Sequence, residues 1–460
     1  MNNPIGRLAQ SFQRAGFALY LVGGPVRDRI LGRESTDLDF TTDARPPEIK
    51  VLLRRAGADH IYAVGERFGT IGAIFGDMPV EITTYRSETY EPGSRKPSVT
   101  FGRSLEGDLS RRDFTVNAIT QDIATGRIFD PLGGLGDIAR RVIRAVGTPD
   151  DRFREDPLRV LRAVRFAAQL DFTIDRDTAA AMRRQATGLG TISAERIGAE
   201  MHLIMASDRP NRAIVTLLEL GLLGFVIPEL IAMQSTVQDE RHEHKDVFAH
   251  TMRVLANTPN RLELRWGALL HDVGKPATKS VRRGRVHFYG HAEVGARMTR
   301  VILERLRADN RLTDRVCHIV VLHMRANGYE PSWTDGAVRR FIREAGEELD
   351  NLIALSRADI TSYRPRRIET GLARVAELRA RCDSLMAEQD VTALDSPLDG
   401  HALMELFQRP PGPWIKPVKQ HLLNLVLDGE LAPDDTDGAT EIARELVERE
   451  ADVPAAPVKA

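Results

Sequence analysis

Leu21-Val22-Gly23-Gly24-Pro25-Val26-Arg27-Asp28, followed closely by Asp37-Leu38-Asp39-Phe40, decides how this 460-residue chain is read. Residues 19–22 are short and apolar and stop at glycine, which predicts a buried strand. Gly23-Gly24 lets the backbone turn tightly where a phosphate can approach. Residues 26–31 then read as the first turns of a helix that ends at Gly32. Backbone N–H groups at such a helix start form an anion site, and Arg27 adds a charge nearby. Leu38 and Phe40 alternate with Asp37 and Asp39, so a second strand is expected. Period two places both carboxylates on one face and the apolar pair toward the core. Two carboxylates held side by side repel unless a cation lies between them. Hard oxygen donors at that spacing suit Mg²⁺, which also binds substrate phosphates. A glycine pair or an Asp-x-Asp alone is ordinary turn or surface chemistry. In this order, within twenty residues, they read as a metal-plus-triphosphate site.

The neighbouring segments extend this reading. Residues 46–56 predict a helix with proline at its start. Residues 80–85 predict a strand in which Glu81 shares parity with Thr83 and Tyr85. Glu81 is then either a third carboxylate beside Asp37 and Asp39 or an exposed strand residue. Residues 65–71 form a turn feeding a strand. Residues 87–103 are rich in Pro, Gly, Ser and charge, and predict a mobile loop. After it, Arg111-Arg112-Asp113-Phe114-Thr115-Val116-Asn117-Ala118-Ile119 turns apolar. Residues 153–170 predict one long helix, in which Asp156, Arg159, Arg162 and Arg165 recur at steps of three. That row drifts by about 60° per step around the axis, so its ends do not share a face. Without further context it is a solvated Asp–Arg ladder.

These motifs, in this order, resemble the signature of class II nucleotidyltransferases, the bacterial CCA-adding enzymes and their poly(A) polymerase relatives. The resemblance spans about residues 15–365. It implies an α/β head of the polymerase-beta-like nucleotidyltransferase fold, followed by an all-helical neck, body and tail. It implies Mg²⁺ held by Asp37 and Asp39, and an incoming triphosphate met by Gly23, Gly24, Arg27 and Arg112. Glu155-Asp156-Pro157-Leu158-Arg159 resembles the base-reading motif. There a carboxylate accepts from a base amino group while a guanidinium donates to ring acceptors. Cytosine and adenine present the same amino-plus-acceptor pair, so one Asp–Arg pair accepts both and rejects U and G. Arg162 and Arg165 are then expected toward the phosphates. Glu66-Arg67-Phe68-Gly69-Thr70 resembles the CCA-adding side of the family, since poly(A) polymerases carry a more basic segment there. The intact loop before Arg111 weighs against CC-adding relatives.

Composition sets the outer limits. The chain is 42% hydrophobic and 28% charged with a net charge of −1, so an RNA partner requires local basic patches. Its length implies two or more domains. No run approaches a membrane span, no signal-peptide core is evident, and Cys317 and Cys382 stand alone, so a cytoplasmic protein without disulfides is expected. Residues 434–438 read as a linker, 439–450 as a short helix and the remainder as a frayed tail.

From His242 onward histidines cluster, and Leu269-Leu270-His271-Asp272-Val273-Gly274-Lys275-Pro276 is an apolar helix end meeting a turn. Adjacent His and Asp can face one metal only at such a bend. With His250 upstream and Asp359 downstream, this resembles the HD phosphohydrolase pattern, and His291 and His323 resemble the extra ligands of its polynuclear members. Mixed imidazole and carboxylate donors suit Mn, Ni, Fe or Zn without distinguishing them. The expected organisation is a head over residues 1–150, a neck over 151–235, an HD body over 236–385 and a tail over 386–460. The resemblance implies template-independent addition of CCA to tRNA from CTP and ATP, with no membrane partner. The alternatives are a poly(A) polymerase, a partial A-adding enzyme, or mainly an HD phosphohydrolase.

Overall fold

The computed structural model describes residues 4–34, 38–63, 65–89, 98–102, 104–234, 236, 246–283, 285–362, 364–388 and 390–451. Asp37, His242 and His244 fall outside them, as do residues 452–460 of the expected tail. The chain divides into two compact units, Met1–Ile231 and Ala232–Ala460.

The first unit is built on strands β1 (Leu19–Val22), β2 (Leu38–Thr42), β3 (His60–Tyr62), β4 (Thr70–Phe75) and β5 (Met78–Thr84). Strands β6 (Arg86–Thr89) and β7 (Ser98–Phe101) form a separate pair, and β8 (Thr120–Asp122) and β9 (Ile128–Phe129) complete the main sheet. Its order is β3-β4-β5-β2-β1-β8-β9, with β2 and β5 the one parallel pair in it. Alternation decides which side chains enter the core. Phe40 of β2 and Val80 and Ile82 of β5 are buried, while Asp39 and Glu81 between them are exposed. The helices Pro4–Arg14 and Pro46–Ala56 pack together and bury Leu8, Phe12, Ile49 and Leu53.

Two expectations are corrected in this unit. Residues 87–103 are not wholly loop, because β6 and β7 pair antiparallel with Arg86 opposite Phe101. Val99, Thr100 and Phe101 are good strand formers that the surrounding Pro, Gly and charge concealed. Residues 153–170 are not one helix. The chain forms a helix over Pro149–Glu155, breaks at Asp156, and begins another over Leu158–Leu170. Asp156 adopts φ −144° and ψ 100°, the extended conformation that a following proline imposes. Asp156 therefore lies outside the helical register that the steps of three assumed.

The second unit is mainly helical. Val247–Asn257, Leu262–Leu270, His291–Arg305, Asn310–Asn327 and Leu349–Asp359 surround a core that includes the fully buried Trp266. It is not all-helical, since Ser280–Arg282 and Arg285–His287 form a two-stranded antiparallel ribbon. Farther on come the long helix Pro365–Glu388 and shorter ones to Ala451. The expected linker at 434–438 is corrected too: the last helix starts at Thr436, and Asp435 accepts the Gly438 N–H at 2.8 Å. Cys317 and Cys382 are free and buried. No described helix is long and apolar enough to cross a membrane.

Candidate active site and metal cluster

In the head, Asp39 and Glu81 are direct partners across the parallel β2–β5 pair, and both side chains are exposed on the same face. Strands lie about 4.8 Å apart, so two carboxylates so placed repel until a cation joins them. The donors are hard oxygens on an open face, which fits a divalent cation shared with substrate phosphates.

The glycine turn sits beside a guanidinium. Gly23 has φ +77°, and a Cβ there would stand 3.2 Å from Arg112 Nη1, so both conformation and space call for glycine. Arg112 is held by Asp108, 3.4 Å from its Nη2, and its Nε is buried without a hydrogen-bond partner. Asp108 is itself buried and also binds Arg111 at 2.7 Å and the Thr41 hydroxyl of β2 at 3.2 Å. Burial pushes its carboxyl up, but Arg112 and Arg111 outweigh that and hold it below the usual range.

A cavity of about 750 Å³ opens next to Arg112, lined also by Arg111, Asp156, Arg159, Arg162 and Arg196. Asp156 accepts from the Leu158 N–H at 3.2 Å and from Arg196 at 2.7 Å. Arg159 is fixed by Glu155 at 2.7 Å and donates to the Arg111 carbonyl. The break before Pro157 thus frees Asp156 to line the cavity, and Glu155 orients Arg159 one turn later. Arg196, Phe68 and Arg86 line the same cavity and went unrecognised in the sequence, because only the fold brings them there.

Two arginines take other places. Arg27 is 5% exposed and hydrogen-bonds Asp28 and the Asn117 side chain. Arg165 does not line the cavity; it pairs with Glu200 at 2.7 Å and lies 4.2 Å from the Phe166 ring centre. A relay of polar groups starts at Arg27. Arg27 donates to Asn117 at 2.6 Å, Asn117 to Asp113 at 3.1 Å, and Arg162 to Asp113 at 2.8 Å. The relay ties the glycine turn to the Leu158–Leu170 helix. Burial raises the Asp113 carboxyl, yet Arg162 and Asn117 bring it below its ordinary value.

In the second unit the expected HD ligands converge. His250 Nε2 lies 2.8 Å from Asp359 and 3.6 Å from Asp272, and His271 Nε2 lies 3.2 Å from Asp272. His291 Nε2 stands 3.6 Å from Asp272 and 3.3 Å from His323 Nε2. Close packing makes this possible. A Cβ on Gly274 would meet the His291 carbonyl at 2.3 Å, so glycine lets the His291–Arg305 helix approach the turn.

Three rings are locked alike, with Nδ1 bonded to a carbonyl three residues earlier: His271 to Ala268, His291 to Phe288 and His323 to Val320. Each Nε2 therefore faces inward in the tautomer that binds metal. His271 Nε2 is buried without a hydrogen bond, and two overlapping groups, His250-His271-Asp272 and Asp272-His291-His323, have ligand spacing. Burial would lower His271, but Asp272 raises it above the usual histidine value. Burial, with His271 nearby, drives His323 down to about 4. Burial alone would raise Asp359, but His250 and His271 bring it to about 2. Lys275, not anticipated as part of the cluster, reaches Asp272 at 2.7 Å.

A mixed sheet that aligns carboxylates on adjacent strands, on the same unit as a guanidinium-lined cavity, fits the nucleotidyltransferase class. Residues 19–144 match the family described as Poly A polymerase head domain. Residues 171–233 match Probable RNA and SrmB- binding site of polymerase A, and residues 243–364 match the HD domain. The A-adding tRNA nucleotidyltransferase of Deinococcus radiodurans is 36% identical over 444 residues, covering 93% of this chain and 94% of that one. The CCA-adding enzyme of Geobacillus sp. (strain WCH70) is 31% identical over 426 residues, 92% of either chain. The crystal structure of Bacillus stearothermophilus CCA-adding enzyme in complex with CTP aligns with a TM-score of 0.72 at 28% identity, covering 98% of this chain and all of that one. The chain belongs to the tRNA nucleotidyltransferase family, and it is an enzyme of that type, with a nucleotidyltransferase head and an HD domain that both imply divalent metal.

Proposed function

We propose that this enzyme adds C, C and A in turn to the 3′ end of tRNA, using CTP and ATP and releasing pyrophosphate. The observation that carries the reading is the register of Asp39 against Glu81, on the same unit as a cavity holding Arg112, Asp156 and Arg159. Asp37 and Asp39, with Glu81 beside Asp39, would hold Mg²⁺, which when bound activates the terminal 3′-hydroxyl and offsets charge on the leaving pyrophosphate. Gly23, Gly24 and Arg112 receive the triphosphate. Asp156 accepts from the base amino group and Arg159 donates to the adjacent ring nitrogen, a pattern C and A share. Arg162, one turn farther, faces the same cavity, and Asp113 holds it there. Positioning and charge then carry the reaction without a protein general base.

The relative named A-adding makes single-nucleotide addition the nearest rival. Incubating tRNA trimmed of CCA with CTP alone, then with ATP, and sequencing the ends separates them. Two C residues from CTP alone support full CCA addition; no incorporation from CTP supports A-addition; a long A tail indicates a poly(A) polymerase.

A second activity is favoured by the inward Nε2 atoms around Asp272. His250, His271, Asp272 and Asp359, with His291 and His323, would bind a transition metal such as Mn, Ni, Fe or Zn and hydrolyse phosphate esters. Metal analysis together with a phosphodiesterase assay tests it, and a metal-free, inactive protein would overturn it.

A further inference from the structure

The ribbon between the two halves of the metal cluster carries charge that the cluster does not use. Lys279, Arg282, Arg283 and Arg285 are exposed, and none has an acidic partner among the described residues. Register places Arg282 directly opposite Arg285 and Ser280 opposite His287, so both arginines project from one face. Like charges facing each other across strands weaken a ribbon unless an anion lies over them. Tyr289 extends that surface: it is 66% exposed, stacks on His287 at 5.1 Å with a 9° interplanar angle, and has Arg282 5.8 Å from its ring centre. At that exposure the ring remains accessible to a planar partner.

Paired cations next to an exposed aromatic plate match the recognition chemistry of single-stranded nucleic acid, with phosphates on the arginines and a base on the ring. An acidic peptide would satisfy the arginines but has no use for the ring. We infer that the Ser280–His287 ribbon with Tyr289 binds a nucleic-acid single strand. The segment also adjoins the cluster. The Phe288 carbonyl fixes His291 at 2.8 Å, and Lys275 bridges from Asp272 to the Phe288 ring.

The test is fluorescence anisotropy of the full chain with a labelled eight-nucleotide oligouridylate in EDTA, plus 4-thiouridine crosslinks mapped by mass spectrometry. Tyr289→Ala should weaken binding about fivefold or more, while Tyr289→Phe, which keeps the ring, should match wild type. Replacing Arg282 and Arg285 by alanine should reduce the slope of log affinity against log salt by about 0.7 per arginine. Crosslinks should fall within residues 279–289. Unchanged affinity in Tyr289→Ala, crosslinks only elsewhere, or equal competition by polyglutamate of the same charge would each overturn the inference. The His271→Ala/Asp272→Ala variant should still bind the strand, so failure of the hydrolytic reading is distinguishable from failure of this one.

Discussion

The carboxylates of the head and the histidine–aspartate cluster of the body are built in opposite ways. Asp39 and Glu81 stand on exposed strand positions, and the sheet fixes their spacing while leaving the space above them to substrate. His271, Asp272 and His323 are almost wholly buried, and backbone carbonyls lock the rings before any ligand arrives. An open pair suits an ion that comes and goes with a nucleotide triphosphate. A buried, oriented set suits an ion that stays. The difference predicts that metal exchange at the head is fast and shared with substrate, whereas the body retains its metal through purification.

The sharpest way to break this contrast is Asp39→Ala. With one member of the open pair gone, nucleotide addition should fall by at least about a thousandfold, since metal neutralisation of the transferring phosphoryl group is lost. The fold should persist, because the side chain is exposed. Primer-extension rates with Mg²⁺, alongside circular dichroism, check it; near wild-type incorporation would remove Asp39 from the site. Next in size are Asp156→Ala and Arg159→Ala. These should narrow the preference for CTP and ATP over UTP and GTP by about ten- to a hundredfold while triphosphate affinity changes less. Competition assays with the four nucleotides report it, and unchanged selectivity in both variants would move base reading elsewhere.

The smallest effect concerns the relay that joins the glycine turn to the base-reading helix. Asn117→Ala leaves the buried Arg27 and Asp113 each short of a partner and should cost about 1–3 kcal/mol of stability at neutral pH. Asp113 titrates below its ordinary value when folded. It therefore stabilises the head fully above the unfolded value of about 3.9 and loses that contribution as pH falls through the folded one. The stability gap between wild type and Asn117→Ala should consequently narrow in acid, as denaturant titrations at pH 7 and below pH 4 would show.

Local signals made much of this legible. The strand at Leu19–Val22, the turn at Gly23 and the helix Pro46–Ala56 follow from apolar runs bounded by Gly and Pro. The convergence of His250, His271, Asp272 and Asp359 was also readable, because His271-Asp272 sits where an apolar helix meets Gly274. The failures have physical causes. Pro157 overrode the helical period around Asp156, a rule visible in the sequence but outweighed by the regular Asp–Arg spacing. The pairings of Arg27 with Asn117 and of Arg165 with Glu200 span 90 and 35 positions, and no local pattern announces them. Arg196 joins Asp156 across 40 residues for the same reason.

The most direct test of two independent sites is nucleotide addition by the His271→Ala/Asp272→Ala variant, whose metal content has first been compared with wild type. Trimmed tRNA, CTP and then ATP are supplied, and the ends are sequenced. The variant should lose its bound transition metal yet still add two C residues and one A at the wild-type rate. Loss of addition in a variant that remains folded would contradict it, and would make the buried cluster a support for the head rather than a separate site.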